Sequence, residues 1–152
     1  MWPSWGEAER VRAIGVDPGE KHLGLAVSDA TGLIARPFST LRHTSRAGDA
    51  ARIVALAEAQ GAATLVVGYA LDSDGQAGPQ ARHAERLAAA LREITKLPVV
   101  LHDESFSSQE AANALREAGK KRRARREQIH AAAAASLLQS YLDAHTRETP
   151  PG

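Results

Sequence analysis

The stretch that most constrains what this chain can fold into is Ala13-Ile14-Gly15-Val16-Asp17-Pro18-Gly19, an apolar run that ends in a carboxylate and stops at Pro-Gly. Strand-type residues lead into Asp17, Pro18 fixes φ and lacks an N–H, and Gly19 permits a turn. A second strand-like run, Leu23-Gly24-Leu25-Ala26-Val27-Ser28, follows after Glu20-Lys21-His22, which is hairpin spacing. Asp17 is therefore expected at a strand's end, at the mouth of a hairpin. Taken alone, Asp-Pro-Gly is as readily a turn held by an Asx hydrogen bond, so a functional reading needs partners elsewhere in the chain.

Further along, residues 32–41 read as a third strand, and Pro37 within it demands an edge position or a start beyond the proline. Ile53, Leu56, Ala57 and Gln60 fall at helical spacing between Thr44-Ser45-Arg46 and Gly61, which suits a left-handed C-terminal cap. Residues 63–69 are nearly continuous apolar sequence, as expected of a parallel strand covered on both faces in the middle of a sheet. The glycine-bearing loop over residues 72–78 has two aspartates, more in keeping with turns than with metal ligands. Pro79 opens a helix through Leu87, Ala90, Leu91 and Ile94. Residues 97–102 form a last strand that runs into Asp103-Glu104. Ser107 and Glu110 have capping-box spacing ahead of a helix carrying Ala111, Leu115 and Ala118, which Gly119 ends. From Glu127 to about Ala144 a final helix carries Ile129, Ala133, Leu137 and Tyr141, with alanines dense enough for it to lie close against a sheet. The expected fold is α/β, one mixed five-stranded sheet flanked by about four helices, with active residues at the carboxyl ends of its strands.

With 152 residues the chain fits one domain with a substantial core. The absence of cysteine excludes disulfides, thiolate catalysis and a cysteine-ligated zinc site. Neither an apolar leader nor a membrane-length apolar stretch occurs, so a soluble, cytoplasmic protein without membrane partners is expected. Residues 120–126 hold six of the nineteen basic residues and no acid, leaving thirteen basic against eighteen acidic residues elsewhere. Six cations in seven residues repel one another, and a polyanion partner is a reason to keep them together.

Carboxylates gathered at one edge of a sheet repel one another, and a divalent cation relieves the strain. Oxygen ligands favour magnesium or manganese, and two such ions about 3.5–4 Å apart clamp the attacking and leaving oxygens of a phosphodiester. Together with a cationic strip, this points to a nuclease or phosphoryl transferase.

The succession Ile14-Gly15-Val16-Asp17-Pro18-Gly19-Glu20-Lys21, Gly24-Leu25-Ala26-Val27-Ser28-Asp29, Val66-Val67-Gly68, Asp74-Gly75 with Gly78-Pro79-Gln80-Ala81, Pro98-Val99 with Asp103-Glu104, and the helix from Ala132 to Asp143 resembles the YqgF family. That family comprises RNase H-like nucleases of pre-16S ribosomal RNA that are also Holliday-junction-resolvase-like. The resemblance implies an RNase H-like nuclease domain over residues 11–145, with an N-terminal extension at 1–10 and a tail at 146–152. It implies an endonuclease in which Asp17 anchors divalent metal, Glu104 with Asp103 supplies further acid, and the start of the last helix supplies the third ligand. The implied role is pre-16S rRNA processing in ribosome biogenesis. The alternatives are an RNA-binding ribosome-assembly factor with a weak or inactive site, and a Holliday-junction-type DNA resolvase, as monomer or homodimer.

The chain departs from the family pattern where His130 stands in place of an aspartate, where Ser105 stands in place of an arginine, and at Tyr69-Ala70. His130 is open to three readings: a metal ligand, a proton shuttle, or the mark of a lost ligand. Glu127 precedes it by three residues, a spacing that puts both on one helix face, and the pair is a candidate replacement for the aspartate. Imidazole binds manganese better than magnesium, so Mn2+ is the expected cofactor. Lys21, Arg82, Arg86, Lys120, Lys121, Arg122, Arg123, Arg125 and Arg126 are the candidates for nucleic-acid backbone contact, which positions a substrate without reading its sequence.

Overall fold

Asp17 owes its setting to the way residues alternate along the first strand. The computed structural model describes residues 12–72, 74–103 and 126–148, with side chains in the last helix from 129 to 145. The described elements are β1 (Ala13–Pro18), β2 (His22–Ser28), β3 (Ala35–Arg42), α1 (Arg46–Ala59), β4 (Thr64–Tyr69), α2 (Pro79–Ile94), β5 (Val99–Asp103) and α3 (Arg126–Glu148). The strands form one sheet in the order β3-β2-β1-β4-β5. β1, β2 and β3 pair antiparallel in succession, and β4 and β5 run parallel to β1. This is the mixed five-stranded sheet expected from the sequence. The helix expected between Ser107 and Gly119, the extension at 1–10 and the end of the tail lie outside the described residues.

The two faces of the sheet differ in the size of their side chains. Ile14, Val16, Leu23, Leu25, Val27, Leu65 and Val67 form one core with α1 and α2. On the other face, Ala13, Ala26 and Val66 meet Ala134, Leu137, Leu138 and Leu142 of α3. Small residues on this face let the helix descend onto the backbone. A Cβ on Gly15 would lie 2.8 Å from Leu138 Cβ, and one on Gly24 would lie 1.9 Å from the His130 carbonyl oxygen. Gly24 is the register partner of Asp17, so the start of α3 is seated directly beside the carboxylate.

Pro37 is accommodated as expected: β3 is an edge strand, and its register against β2 shifts next to the proline. Gly61, at φ +67, follows the end of α1. α3 continues to Glu148, beyond the expected end near Ala144, because no helix breaker occurs before Pro150.

Where β3 gives way to α1, Ser45 caps the helix by accepting the Gly48 N–H, and Asp49 is 1% exposed. Burial alone would raise the Asp49 carboxyl. The Thr44 N–H, His43 and Arg52 outweigh it and hold the group below the ordinary carboxylate range.

Gly24→Ala should cost roughly 3 kcal/mol or more, because the clash is with backbone that no rotamer change relieves. Thermal unfolding should fall by about 6 °C or more, and an unchanged midpoint would contradict the close seating of α3. Asp49, with its lowered carboxyl, stabilises the fold above the unfolded-state carboxylate pKa and loses that contribution as pH falls through the lowered value. Asp49→Asn should therefore be less stable at neutral pH and lose less stability on acidification, which urea titrations at neutral and acid pH would measure.

Candidate active site at the mouth of the hairpin

Three residues link β1 to β2, and their geometry leaves no room for a larger residue at Gly19, where a Cβ would lie 2.4 Å from the His22 carbonyl oxygen. The turn brings His22 two residues before Gly24 and hence onto the same face of β2. Asp17, half-buried, shares that face through its pairing with Gly24. His130, carried by the first turns of α3, arrives over Gly24 and stacks on His22, with ring centroids 5.2 Å apart and planes inclined by 27°. Asp17 and the stacked pair His22 and His130 thus share one edge of the sheet, where β1 and β4 also end.

The imidazole of His130 is held below its ordinary pKa. Burial is the larger cause and His22 the second, while the Asp17 carboxylate pulls in the opposite direction without prevailing. Near neutral pH the ring is therefore unprotonated, with a nitrogen lone pair free to accept a proton or to ligate a metal. Asp17 and His130 offer one carboxylate and one imidazole, a donor pair that suits manganese or zinc better than the all-oxygen octahedron magnesium prefers. Among the described residues no group of three histidines or acids comes together closely enough to hold an ion. Glu104 lies outside the described residues, and Glu127 stands in the first turn of α3 with its side chain outside them.

The other expected site residues divide between the two faces. Asp103 ends β5, exposed, and alternation puts it on the face of Val99 and Leu101, opposite to that of Asp17. His102, on the Asp17 face, meets Ser140 at 3.0 Å and stacks edge-on with Tyr141. Its pKa is lowered first by burial and also by His145, against the pull of Asp103. Lys21 is exposed in the turn after Asp17, close to the site. Arg82 and Arg86 are exposed on α2, across the sheet from α3, and Arg82 donates to the Ala77 carbonyl at 3.0 Å. Lys120, Lys121, Arg122, Arg123 and Arg125 lie outside the described residues, as does the side chain of Arg126.

Asp72 is a turn former. Its carboxylate accepts the N–H groups of Asp74 and Gln76 at 3.0 and 2.8 Å. Sequence reasoning passed over His22. Its distance of two from Gly24 was visible, but nothing in the sequence said that a second histidine would arrive from a helix more than a hundred residues later. No described helix is long and apolar enough to cross a membrane.

The family model for RuvX, Holliday junction resolvase, matches residues 11–144. The chain is 44% identical over 135 residues to the "Putative pre-16S rRNA nuclease" of Geobacillus kaustophilus (strain HTA426), covering 88% of this chain and 98% of that protein. It is 41% identical over 133 residues to a protein of the same name from Anaeromyxobacter sp. (strain Fw109-5), covering 88% and 97%. Among solved structures, the Thermus thermophilus RuvC in complex with Holliday junction substrate aligns with a TM-score of 0.56 at 20% identity, over 89% of this chain and 95% of that one. The fowlpox virus resolvase in complex with substrate Holliday junction DNA aligns at 0.53 and 10% identity, over 88% and 98%. At such identities the likeness establishes the fold, an RNase H-like sheet and helix arrangement.

In metal-free protein, the His130 ring should titrate below the ordinary imidazole value, as followed by NMR. His22→Ala should move it upward, since part of the burial and the unfavourable influence of the neighbouring ring are removed. Asp17→Asn should move it further down, since an attracting charge is lost. A downward shift in His22→Ala would contradict the arrangement.

Proposed function

Because the chain belongs to the RuvX family of Holliday junction resolvases, we propose that it is a metal-dependent endonuclease acting on structured nucleic acid, with pre-16S ribosomal RNA as its substrate. The name carried by its close relatives supports that substrate. The observation that carries the reading is the seating of His130 beside Asp17 over Gly24, which joins the two ends of the domain in one site.

Asp17 is the anchoring carboxylate, Glu104 the second acid, and His130 with Glu127 takes the place of the family aspartate. Glu104 is favoured over Asp103 because Asp103 follows the alternation of Val99 and Leu101, away from Asp17. A divalent ion held by these residues would activate water and stabilise charge on the reacting phosphate. His130 contributes a neutral ring nitrogen, and the stack with His22 fixes the plane in which that nitrogen lies. Two stacked rings also disfavour a second proton, which keeps the nitrogen available. Manganese is the favoured ion on the strength of the imidazole donor. The family's own description favours a second reading, a resolvase of branched DNA.

Cleavage of a labelled structured RNA and of a four-way DNA junction, each in magnesium, manganese and EDTA, tests the proposal. Cutting should be faster in manganese than in magnesium, absent in EDTA, and reduced at least ~100-fold in Asp17→Asn, as for loss of a group that stabilises transition-state charge. His130→Asp should raise the magnesium-supported rate. Undiminished cutting by Asp17→Asn, or in EDTA, would contradict the site. Binding without any cutting by the native protein would favour an RNA-binding assembly factor.

A further inference from the structure

The face of the sheet that carries Asp17 continues across β2 to the edge strand. Asp17 pairs with Gly24 and Gly24 with Thr40, so these three stand in one row across β1, β2 and β3. In the next row His22 pairs with Arg42. His22 is on the α3 face because it stacks on His130, so Thr40 and Arg42 point to that face as well, while the intervening Leu41 packs into the opposite core. Here a groove of about 560 Å³ opens beside the site, lined by Glu20, Lys21, His22, Thr40, Arg42 and His43. Two side chains in this lining are permanent cations, two are imidazoles and one is a hydroxyl, against a single acid.

The backbone that carries the lining is held in place before anything binds. The His43 N–H donates to the Lys21 carbonyl at 2.8 Å, tying the turn to the end of β3. Arg52 donates to the Arg42 carbonyl at 2.7 Å and to Asp49 at 2.7 Å. Asp49 also pairs with His43. A groove whose backbone is already fixed loses less freedom on binding an anion than a mobile loop would.

We infer that this groove is a phosphate-backbone subsite that holds the strand being cut, with Arg42 and Lys21 as its phosphate-contacting residues. The inference rests on the nuclease reading above and names where its substrate lies. Arg42 stands two strand spacings from β1, roughly 10 Å. The phosphate it takes is therefore a neighbour of the one at Asp17, and the strand leaves the site past the start of α3, along the turn that carries Lys21, and over the edge of the sheet. This track uses neither Arg82 and Arg86 on the far face nor the basic run at 120–126. Phosphodiester chemistry is common to RNA and DNA, so the subsite serves either.

The test is binding in EDTA, where cutting does not intervene, of the same structured RNA and four-way DNA junction over a range of salt. Arg42→Ala should weaken binding roughly tenfold at low salt through loss of a charge-assisted contact. It should also lower the slope of log Kd against log salt by about one. Arg42→Lys should keep the slope. Arg36→Ala, which removes an exposed cation at the opposite end of β3, should behave as native. A weakened RNA complex with an unchanged DNA complex would assign the subsite to RNA, and the converse would assign it to DNA. If the native protein binds and cuts while Arg42→Ala matches Arg36→Ala, the subsite is wrong and the nuclease reading stands. If the native protein binds neither nucleic acid, both fall. Unfolding midpoints of the variants should match the native one, since Arg42 is exposed and its carbonyl bond to Arg52 is unaffected.

Discussion

The contact on which the rest of this structure depends is that of the α3 backbone with Gly24. A helix ordinarily stands off a sheet by the length of the side chains between them. Here glycine and alanine on one face of β1 and β2, met by alanines of α3, let the two backbones approach until the His130 carbonyl occupies the space a Cβ would fill. That closeness has a chemical consequence. It delivers a side chain from near the end of the chain to the register partner of Asp17, at the point where β1 ends. The larger apolar side chains on the opposite face, packed under α1 and α2, supply the bulk of the core and leave the α3 face free for this fit.

Electrostatics at the site follow from the same packing. The packing of α3 on β2 partly buries His130, and covering a titratable ring disfavours its charged form. His22 adds to that effect and Asp17 opposes it. The outcome is a neutral imidazole next to a carboxylate, which is the state in which an imidazole can serve as a ligand or accept a proton. An aspartate at this position would add a second negative charge instead, and would ask for a cation before the site became comfortable.

Much of the fold was legible because local chemistry and tertiary structure agree. Asp-Pro-Gly ends β1, Pro37 sits on an edge strand, Gly61 follows α1 in the left-handed conformation, and Pro79 opens α2. Asp17 and His130 could be singled out from the sequence as candidate site residues, and the family resemblance implied that they come together, but the manner of their meeting could not be read, because it depends on a helix crossing the sheet at one glycine. His22, Thr40 and Arg42 were missed for a related reason. Their alternation was visible, yet which face of an edge hairpin looks toward the site is decided by the packing of α3 and not by the hairpin. Arg82 and Arg86 attract attention as an i,i+4 cationic pair, and only the layering of the fold reveals that α2 lies across the sheet.

The central claim is that Asp17 and His130 act as one site. Paramagnetic broadening of histidine ring signals by substoichiometric Mn2+ tests it most directly, since broadening falls off steeply with distance from the ion. His130 and its stacking partner His22 should broaden first in the native protein, and both effects should vanish in Asp17→Asn. Broadening centred instead on His102 and His145, or persisting unchanged without the Asp17 carboxylate, would contradict it.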